Sequence, residues 1–272
     1  FHLASSDPSD RLLPRYMILE HWRDGLIYMA CVLAILMAHE MGHFIATLIY
    51  RIPASLPFVI PMPLVPMGTF GAVIGMDGKR ADRRQIFDIG IAGPLAGLVI
   101  CVPVVIWGTL QLDFNKQAFG QYYLHNSLFV EWLLYLRQPP GYVPGRGIAA
   151  SQLNPYFMAG WVGLLVTGLN MLPVSQLDGG HVIYTLFGKR AHWIARFFMV
   201  VAIGYLTWSI FKDGQAQWIL MIALVLFVGV DHPPTRDDSV SLGWFRYALG
   251  LASLLIPILC FAPKVLTPPI MR

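Results

Sequence analysis

Residues 34–46 read AILMAHEMGHFIA, which sets His39, Glu40 and His43 inside an otherwise apolar run. Three ionisable side chains within so short a stretch are costly in a bilayer, where one charged group at the centre of a spanning helix costs roughly 2.5–3.5 kcal/mol on insertion scales. Composition says that a bilayer is the relevant solvent. Of 272 residues, 56% are hydrophobic and only 12% charged, and the mean hydropathy is +0.60. A soluble domain needs more polar surface than this, so the expected class is a polytopic membrane protein with the lipid bilayer as its surroundings. The net charge of +4 is scattered and forms no basic patch interleaved with aromatics, so nucleic acid is not an expected partner. Cys31, Cys101 and Cys260 lie far apart without a CxxC pair and are read as small hydrophobes rather than disulfide or zinc residues. The first two dozen residues lack an apolar h-region, so no signal peptide is expected.

A spanning helix needs roughly 20 mostly apolar residues. On that measure spans are expected near 25–50, 86–110, 155–173, 192–211, 215–231 and 243–262. Between the first two lies an apolar stretch that cannot be a regular helix, with prolines at 53, 57, 61, 63 and 66 and glycines at 68, 71 and 75. Its β-branched and aromatic residues around Gly68–Ile74 predict a short strand or hairpin, and such backbone survives at membrane depth only beside protein or a water-filled cavity. The expected fold is therefore all-α and polytopic, with about six transmembrane helices and a re-entrant, hairpin-like loop. A juxtamembrane segment (1–24) precedes a catalytic core (25–190) that contains the re-entrant loop (52–78) and a linker (111–154); three more helices (191–262) and a tail (263–272) follow. Within the linker, FGQYYLHNSLFVEWLLYLR reads as a short amphipathic or interfacial helix.

Basic residues orient the chain. Arg51, Lys79, Arg80, Arg83 and Arg84 separate the first two spans and Lys189, Arg190 and Arg196 follow the third, whereas Lys116, Arg137 and Arg146 are spread over the longer linker. The end of the first span that carries the cluster is thus expected toward the cytoplasm, or the equivalent organellar side.

Residues four apart on a helix differ by about 40° around its axis, so His39 and His43 project from one face and can hold one ion. Imidazole nitrogens suit Zn²⁺, and Glu40 can take a proton from a water in an open coordination position. The alternative is a pair of helix-packing histidines with a neutral glutamic acid. A catalytic zinc needs a third protein ligand. Asp178 is the best candidate, being the only acid between Glu131 and Asp213, just after an apolar span that Pro173 should stop. A plain N-cap of the following Gly179-Gly180-His181-Val182 segment is the competing role for Asp178. Asn170 could donate an amide N–H to a developing oxyanion or equally join transmembrane helices. His181 is a candidate for a supporting or helix-start residue, and Gly93 and Gly97 form a small-xxx-small packing pair. His2, His21, His125, His192 and His232 are expected in loops or at span ends, as interfacial residues rather than ligands.

Two of these stretches together resemble the site-2 protease family of intramembrane metalloproteases: His39-Glu40-Met41-Gly42-His43 resembles its HExxH helix, and Asn170-x-x-Pro173 through Asp178-Gly179 its NxxPxxxxDG motif. The resemblance covers roughly 25–190 and includes Gly93-Pro94-Leu95-Ala96-Gly97. It implies that His39, His43 and Asp178 bind one catalytic zinc, that Glu40 is the general base, and that Asn170 contacts substrate near the scissile bond. It further implies that Gly68, Thr69, Phe70 and Gly71 belong to a loop that pairs with an extended transmembrane protein substrate, by exchanging helix hydrogen bonds for strand ones. The pattern looks like the compact branch that lacks a PDZ domain and includes plastid relatives. Three other readings compete: a metal transporter using the same ligands, an inactive metal-binding scaffold, and a membrane zincin whose third ligand is a glutamate.

Overall fold

The computed structural model describes residues 13–61, 69–73, 75, 80–118, 122–174, 177–262 and 264–267. Helix α1 (Leu13–Ile49) bends at His21, where φ is −110° and ψ is 15°. Strands β1 (Phe58–Pro61) and β2 (Thr69–Val73) follow, then α2 (Arg83–Leu110), β3 (Tyr123–Leu124), α3 (Leu128–Arg137), β4 (Ile148–Ala149) and α4 (Pro155–Asn170). The chain continues through α5 (Asp178–Phe187), α6 (Ala191–Asp213), α7 (Ile219–Val228), α8 (Trp244–Ser253), α9 (Ile256–Cys260) and β5 (Leu266–Thr267).

Three segments among the described residues are long and apolar enough to cross a membrane: His21–Ile49, Arg83–Leu110 and Asp178–Lys212. The last is divided by a turn of 3₁₀ helix at Gly188–Arg190, where Gly188 has φ +57°. Helix α4 is shorter, at 16 residues, and α7 has 10. The outer helices present large apolar side chains to the surroundings, Phe211 at 86% and Phe227 at 89% exposed, which in water would be a liability and in lipid is the expected face. The chain is an integral membrane protein.

Local chemistry explains the ends of the central helices. Asp82 caps α2, accepting from the Gln85 amide at 2.9 Å, while the Gln85 side chain accepts from the Asp82 amide at 2.9 Å. Asn154 caps α4 by accepting from the Phe157 amide at 2.8 Å, and its own amide donates to the Gly108 carbonyl at 2.8 Å. One side chain thus satisfies both the start of α4 and the end of α2.

Helices α1, α2 and α4 enclose the main core, with Ile35, Cys101, Val105, Phe157 and Leu164 all buried. Their separation is set by glycines. A Cβ at Gly42 would lie 2.4 Å from the Ala92 carbonyl oxygen, one at Gly160 would lie 2.5 Å from Val105 Cβ, and one at Gly108 would lie 2.2 Å from the Phe157 nitrogen. Backbones this close gain dispersion contacts where burial from water provides little drive. An ion pair fastens α8 to this unit: Arg246 donates to both carboxylate oxygens of Asp88, each at 2.8 Å, and the Tyr50 hydroxyl donates to the same carboxylate.

Two small sheets complete the fold. Strands β1 and β2 pair antiparallel, Phe58 opposite Val73 and Val59 opposite Ala72, with a register shift before Pro61 meets Thr69; β2 packs against α1. Thr69, Phe70 and Gly71 therefore lie in strand backbone, while Gly68 falls outside the described residues. Strand β3 lies between β4 and β5, antiparallel to both. Residues 266–267, read from sequence as uninformative tail, form that third strand.

A methyl group at position 42 has no room, so Gly42→Ala should destabilise the detergent-solubilised protein by about 1–3 kcal/mol through overpacking. Gly204→Ala, where nothing lies within 4 Å of the added Cβ, should leave thermal unfolding essentially unchanged.

Candidate active site

His39 and His43 lie one turn apart on α1 and their rings meet edge to face, 4.9 Å between centroids. Their Nε2 atoms are 3.2 Å apart. Asp178, the first residue of α5, brings Oδ2 to 3.1 Å from His39 Nε2 and Oδ1 to 3.3 Å from His43 Nε2. The N-cap of α5 is Leu177, which makes no side-chain cap bond, so the Asp178 carboxylate turns to the histidines instead of capping its helix. Among the described residues this is the one group of three or more His, Cys, Asp or Glu whose donor atoms cluster as a metal site would need, all within 4.8 Å.

The neighbours of the rings set which nitrogen is free. His43 Nδ1 lies 2.8 Å from the Ile89 carbonyl oxygen, which can only accept, so Nδ1 carries the proton and Nε2 offers a lone pair. Pro94 has no N–H for the Gly90 carbonyl four residues before it, so α2 lacks one ladder bond beside this contact. Two glycines make space: a Cβ at Gly93 would lie 2.1 Å from His43 Nε2, and one at Gly97 would lie 3.3 Å from His39 Nδ1. The GPLAG pair, expected to pack helices, is also the clearance in which both imidazoles sit.

Donor chemistry and spacing fit zinc. Ligand atoms at about 2.0–2.2 Å from a tetrahedral zinc lie roughly 3.3–3.5 Å from one another, close to the separations of 3.1, 3.2 and 3.3 Å found here. Two neutral imidazoles and a carboxylate are a hard-to-borderline set that suits this ion better than Ca²⁺ or Mg²⁺. Glu40, next to the first histidine, is buried at 9% exposure. Asn170 ends α4 and places Nδ2 3.4 Å from His39 Nε2, so its amide reaches the same spot from a third helix.

Residues 27–207 match the family model of Peptidase family M50, the site-2 protease family. The chain belongs to this family. Among its relatives is a protein of Oryza sativa subsp. japonica named "Probable zinc metalloprotease EGY1, chloroplastic", 32% identical over 239 residues, which cover 85% of this chain and 39% of the relative. The Arabidopsis thaliana protein of the same name is 30% identical over 267 residues, covering 95% and 46% respectively. One named "Probable zinc metalloprotease EGY2, chloroplastic", from Oryza sativa subsp. indica, is 27% identical over 257 residues, covering 93% and 45%. The chain spans less than half the length of these relatives.

Beyond the cluster of His39, His43 and Asp178, this M50 chain carries a buried polar stack that sequence reading did not assemble. His181, on the next turn of α5 after Asp178, places Nδ1 2.5 Å from His232 Nε2. His232 Nδ1 is 2.5 Å from the Pro233 carbonyl and must donate to it, so His181 donates to His232. The His232 ring stacks on Tyr184 at 4.5 Å and 19°, and the Tyr184 hydroxyl donates to Asp238 at 2.9 Å. His232 is only 8% exposed, so it is a buried packing residue rather than the interfacial one expected. Gly90 admits this arrangement, since a Cβ there would lie 2.9 Å from His181 Cβ. Arg83 joins the same region by donating to the carbonyls of Thr185 at 2.6 Å and Leu186 at 3.4 Å, near the C-terminal end of α5.

Burial, helped by the neighbouring His181, pushes the His232 imidazole down to about 4. A histidine with a depressed folded pKa contributes stability that is complete above its unfolded value of about 6.5 and is lost as pH falls through that value toward the folded one. The segment bearing His232 should therefore loosen between pH about 6.5 and about 4, seen as lower amide protection factors at 231–238 relative to intrinsic exchange at each pH, and His232→Phe should flatten this dependence.

Proposed function

We propose that this chain is a zinc endopeptidase that hydrolyses peptide bonds within or beside the transmembrane segments of other membrane proteins, as in regulated intramembrane proteolysis. The observation that carries the reading is the convergence of His39 Nε2, His43 Nε2 and the Asp178 carboxylate at 3.1–3.3 Å within an apolar helix bundle, with buried Glu40 adjacent in sequence to His39. In this reading His39, His43 and Asp178 hold the metal. When bound, zinc supplies Lewis-acid polarisation of the scissile carbonyl and acidifies a water. Glu40 accepts the proton of the attacking water and passes it to the leaving amine nitrogen as the C–N bond breaks. Asn170 donates its amide N–H to the carbonyl oxygen as negative charge develops there.

Substrate must reach this point unwound, because a helical peptide has its carbonyls engaged. The β1–β2 pair supports a route: an extended segment added to its edge exchanges intrahelical hydrogen bonds for interstrand ones. Gly68, Thr69, Phe70 and Gly71, with Asn170 beyond them, are assigned as substrate-contacting residues. On this reading the hairpin is a re-entrant element, residues 25–190 form the core and 191–262 supply three accessory helices, six spans in all. The distribution of Arg51, Arg80, Arg83, Arg84, Lys189, Arg190 and Arg196 supports a site opening to the cytoplasmic or equivalent organellar side.

Glu40→Gln should keep stoichiometric zinc and lower cleavage of a reconstituted membrane substrate by about 10²–10⁴-fold; full cleavage with zinc bound would overturn the assignment. Asp178→Ala should lose zinc, measured by metal analysis of the purified protein, and retention of one zinc per chain would remove Asp178 from the ligand set. Gly93→Ala should also lose zinc, because its methyl group occupies the position of the His43 ring.

A further inference from the structure

At the end of α2 remote from the histidines, the linker folds around a cleft of about 140 Å³ whose lining includes Lys116, Gly141, Tyr142, Arg146 and Gln152. From Gly97, beside His39, to Leu110 is about 20 Å of helix, so the cleft is no part of the candidate active site. Its walls are held by hydrogen bonds. The Gln152 side-chain amide donates to the carbonyls of Phe114 at 3.4 Å and Lys116 at 3.2 Å, and Gly141, with φ +82°, lets the backbone close to where a Cβ would lie 3.0 Å from the Phe114 carbonyl oxygen.

The cleft carries two cations, Lys116 and Arg146. Among the described residues neither Lys116 nor Arg146 has an ion pair; the Arg146 guanidinium lies over the Tyr123 ring at 5.6 Å, which orients it and leaves its N–H groups available. The nearby acids each accept from a neutral donor. Glu131 accepts from Asn126 at 2.9 Å and from the Tyr142 hydroxyl, and Asp113 accepts from the Asn115 amide at 3.0 Å.

Position relative to the bilayer identifies the anion. The cleft lies where α2 leaves the apolar bundle and α4 enters it, and α3 is anchored at that level by the Arg137 guanidinium, which donates to the Thr109 carbonyl at 2.5 Å. Helix α3 turns Leu128, Trp132, Tyr135 and Leu136 outward at 56–65% exposure, an apolar and aromatic face of the kind that lies in the headgroup region. A phosphate carried there by lipid meets the two cations at the depth where α3 already sits.

We propose that this cleft binds the phosphate of an anionic lipid headgroup, with Lys116 and Arg146 as its cationic contacts and α3 as the adjoining interfacial anchor. The site requires only that the chain resides in a bilayer, and it stands whether or not the zinc peptidase reading does.

The test uses the full chain reconstituted in phosphatidylcholine bilayers with trace spin-labelled lipid. Immobilised phosphatidylglycerol should exceed immobilised phosphatidylcholine by roughly five- to twentyfold, from about fivefold per cation near the surface. K116A/R146A should reduce that ratio to near one, while K116R/R146K and, at the opposite end of the bundle, K189A/R190A should retain it. Circular dichroism melting checks that each variant is folded, and K116Q/R146Q, which removes both charges but keeps polar side chains, carries the comparison if the alanine pair is not. A ratio near one in the unaltered chain, or an unchanged ratio in folded K116A/R146A, would overturn the proposal. Binding of inorganic phosphate to the chain in phosphatidylcholine bilayers, with no enrichment of phosphatidylglycerol, would assign the cleft to a soluble anion and overturn the lipid assignment.

Discussion

The imidazole of His43 occupies the volume that any side chain on residue 93 would need: a Cβ there falls 2.1 Å from Nε2. Much else in the bundle follows from that exclusion. Because α2 has no side chain at that point, α1 can approach until Gly42 touches the Ala92 carbonyl, and the His43 ring then meets the Ile89 carbonyl at 2.8 Å. That contact fixes the proton on Nδ1 and leaves Nε2 facing its partner histidine. A helix pair with ordinary side chains at the contact sits 8–10 Å apart, and at the larger separations the ring would neither reach the carbonyl nor be held by it.

Several polar groups inside the bundle are matched by specific counterparts. Asp178 faces two imidazoles, Asp88 faces Arg246 and the Tyr50 hydroxyl, and His181 and His232 share one proton between them in an arrangement closed by the Pro233 carbonyl. Leaving any one of these without its partner exposes a buried charge or donor, the expensive case in a medium of low dielectric. The groups are spread over α1, α2, α5, α8 and the segment after α7, so the polar interactions also decide which helices are neighbours.

What could be read from sequence was local in sequence. The HExxH spacing is a property of one helix, and Asp178 stood out because acids are absent around it. The hairpin was signalled by prolines and glycines that exclude a helix, and its pairing of residues 58–59 with 72–73 is short range. By contrast, Asp88 with Arg246, His181 with His232 and β3 with β5 join residues 158, 51 and about 142 positions apart, and no periodicity encodes such partners. Gly93 and Gly97 illustrate a subtler limit. Their spacing is the same whether a glycine admits a neighbouring backbone or an imidazole, so only the placed ring tells which. Asp178 as cap or as metal-facing carboxylate was likewise undecidable locally, since both roles put it at the start of α5.

The turn between α4 and α5 has a mechanical meaning. A Cβ on Gly179 would lie 2.1 Å from the Met171 carbonyl oxygen and 2.4 Å from that of Leu172, so the first turn of α5 is seated directly on the end of α4. Asn170 and Asp178 therefore ride on a single stiff elbow and cannot separate from each other without breaking that seat.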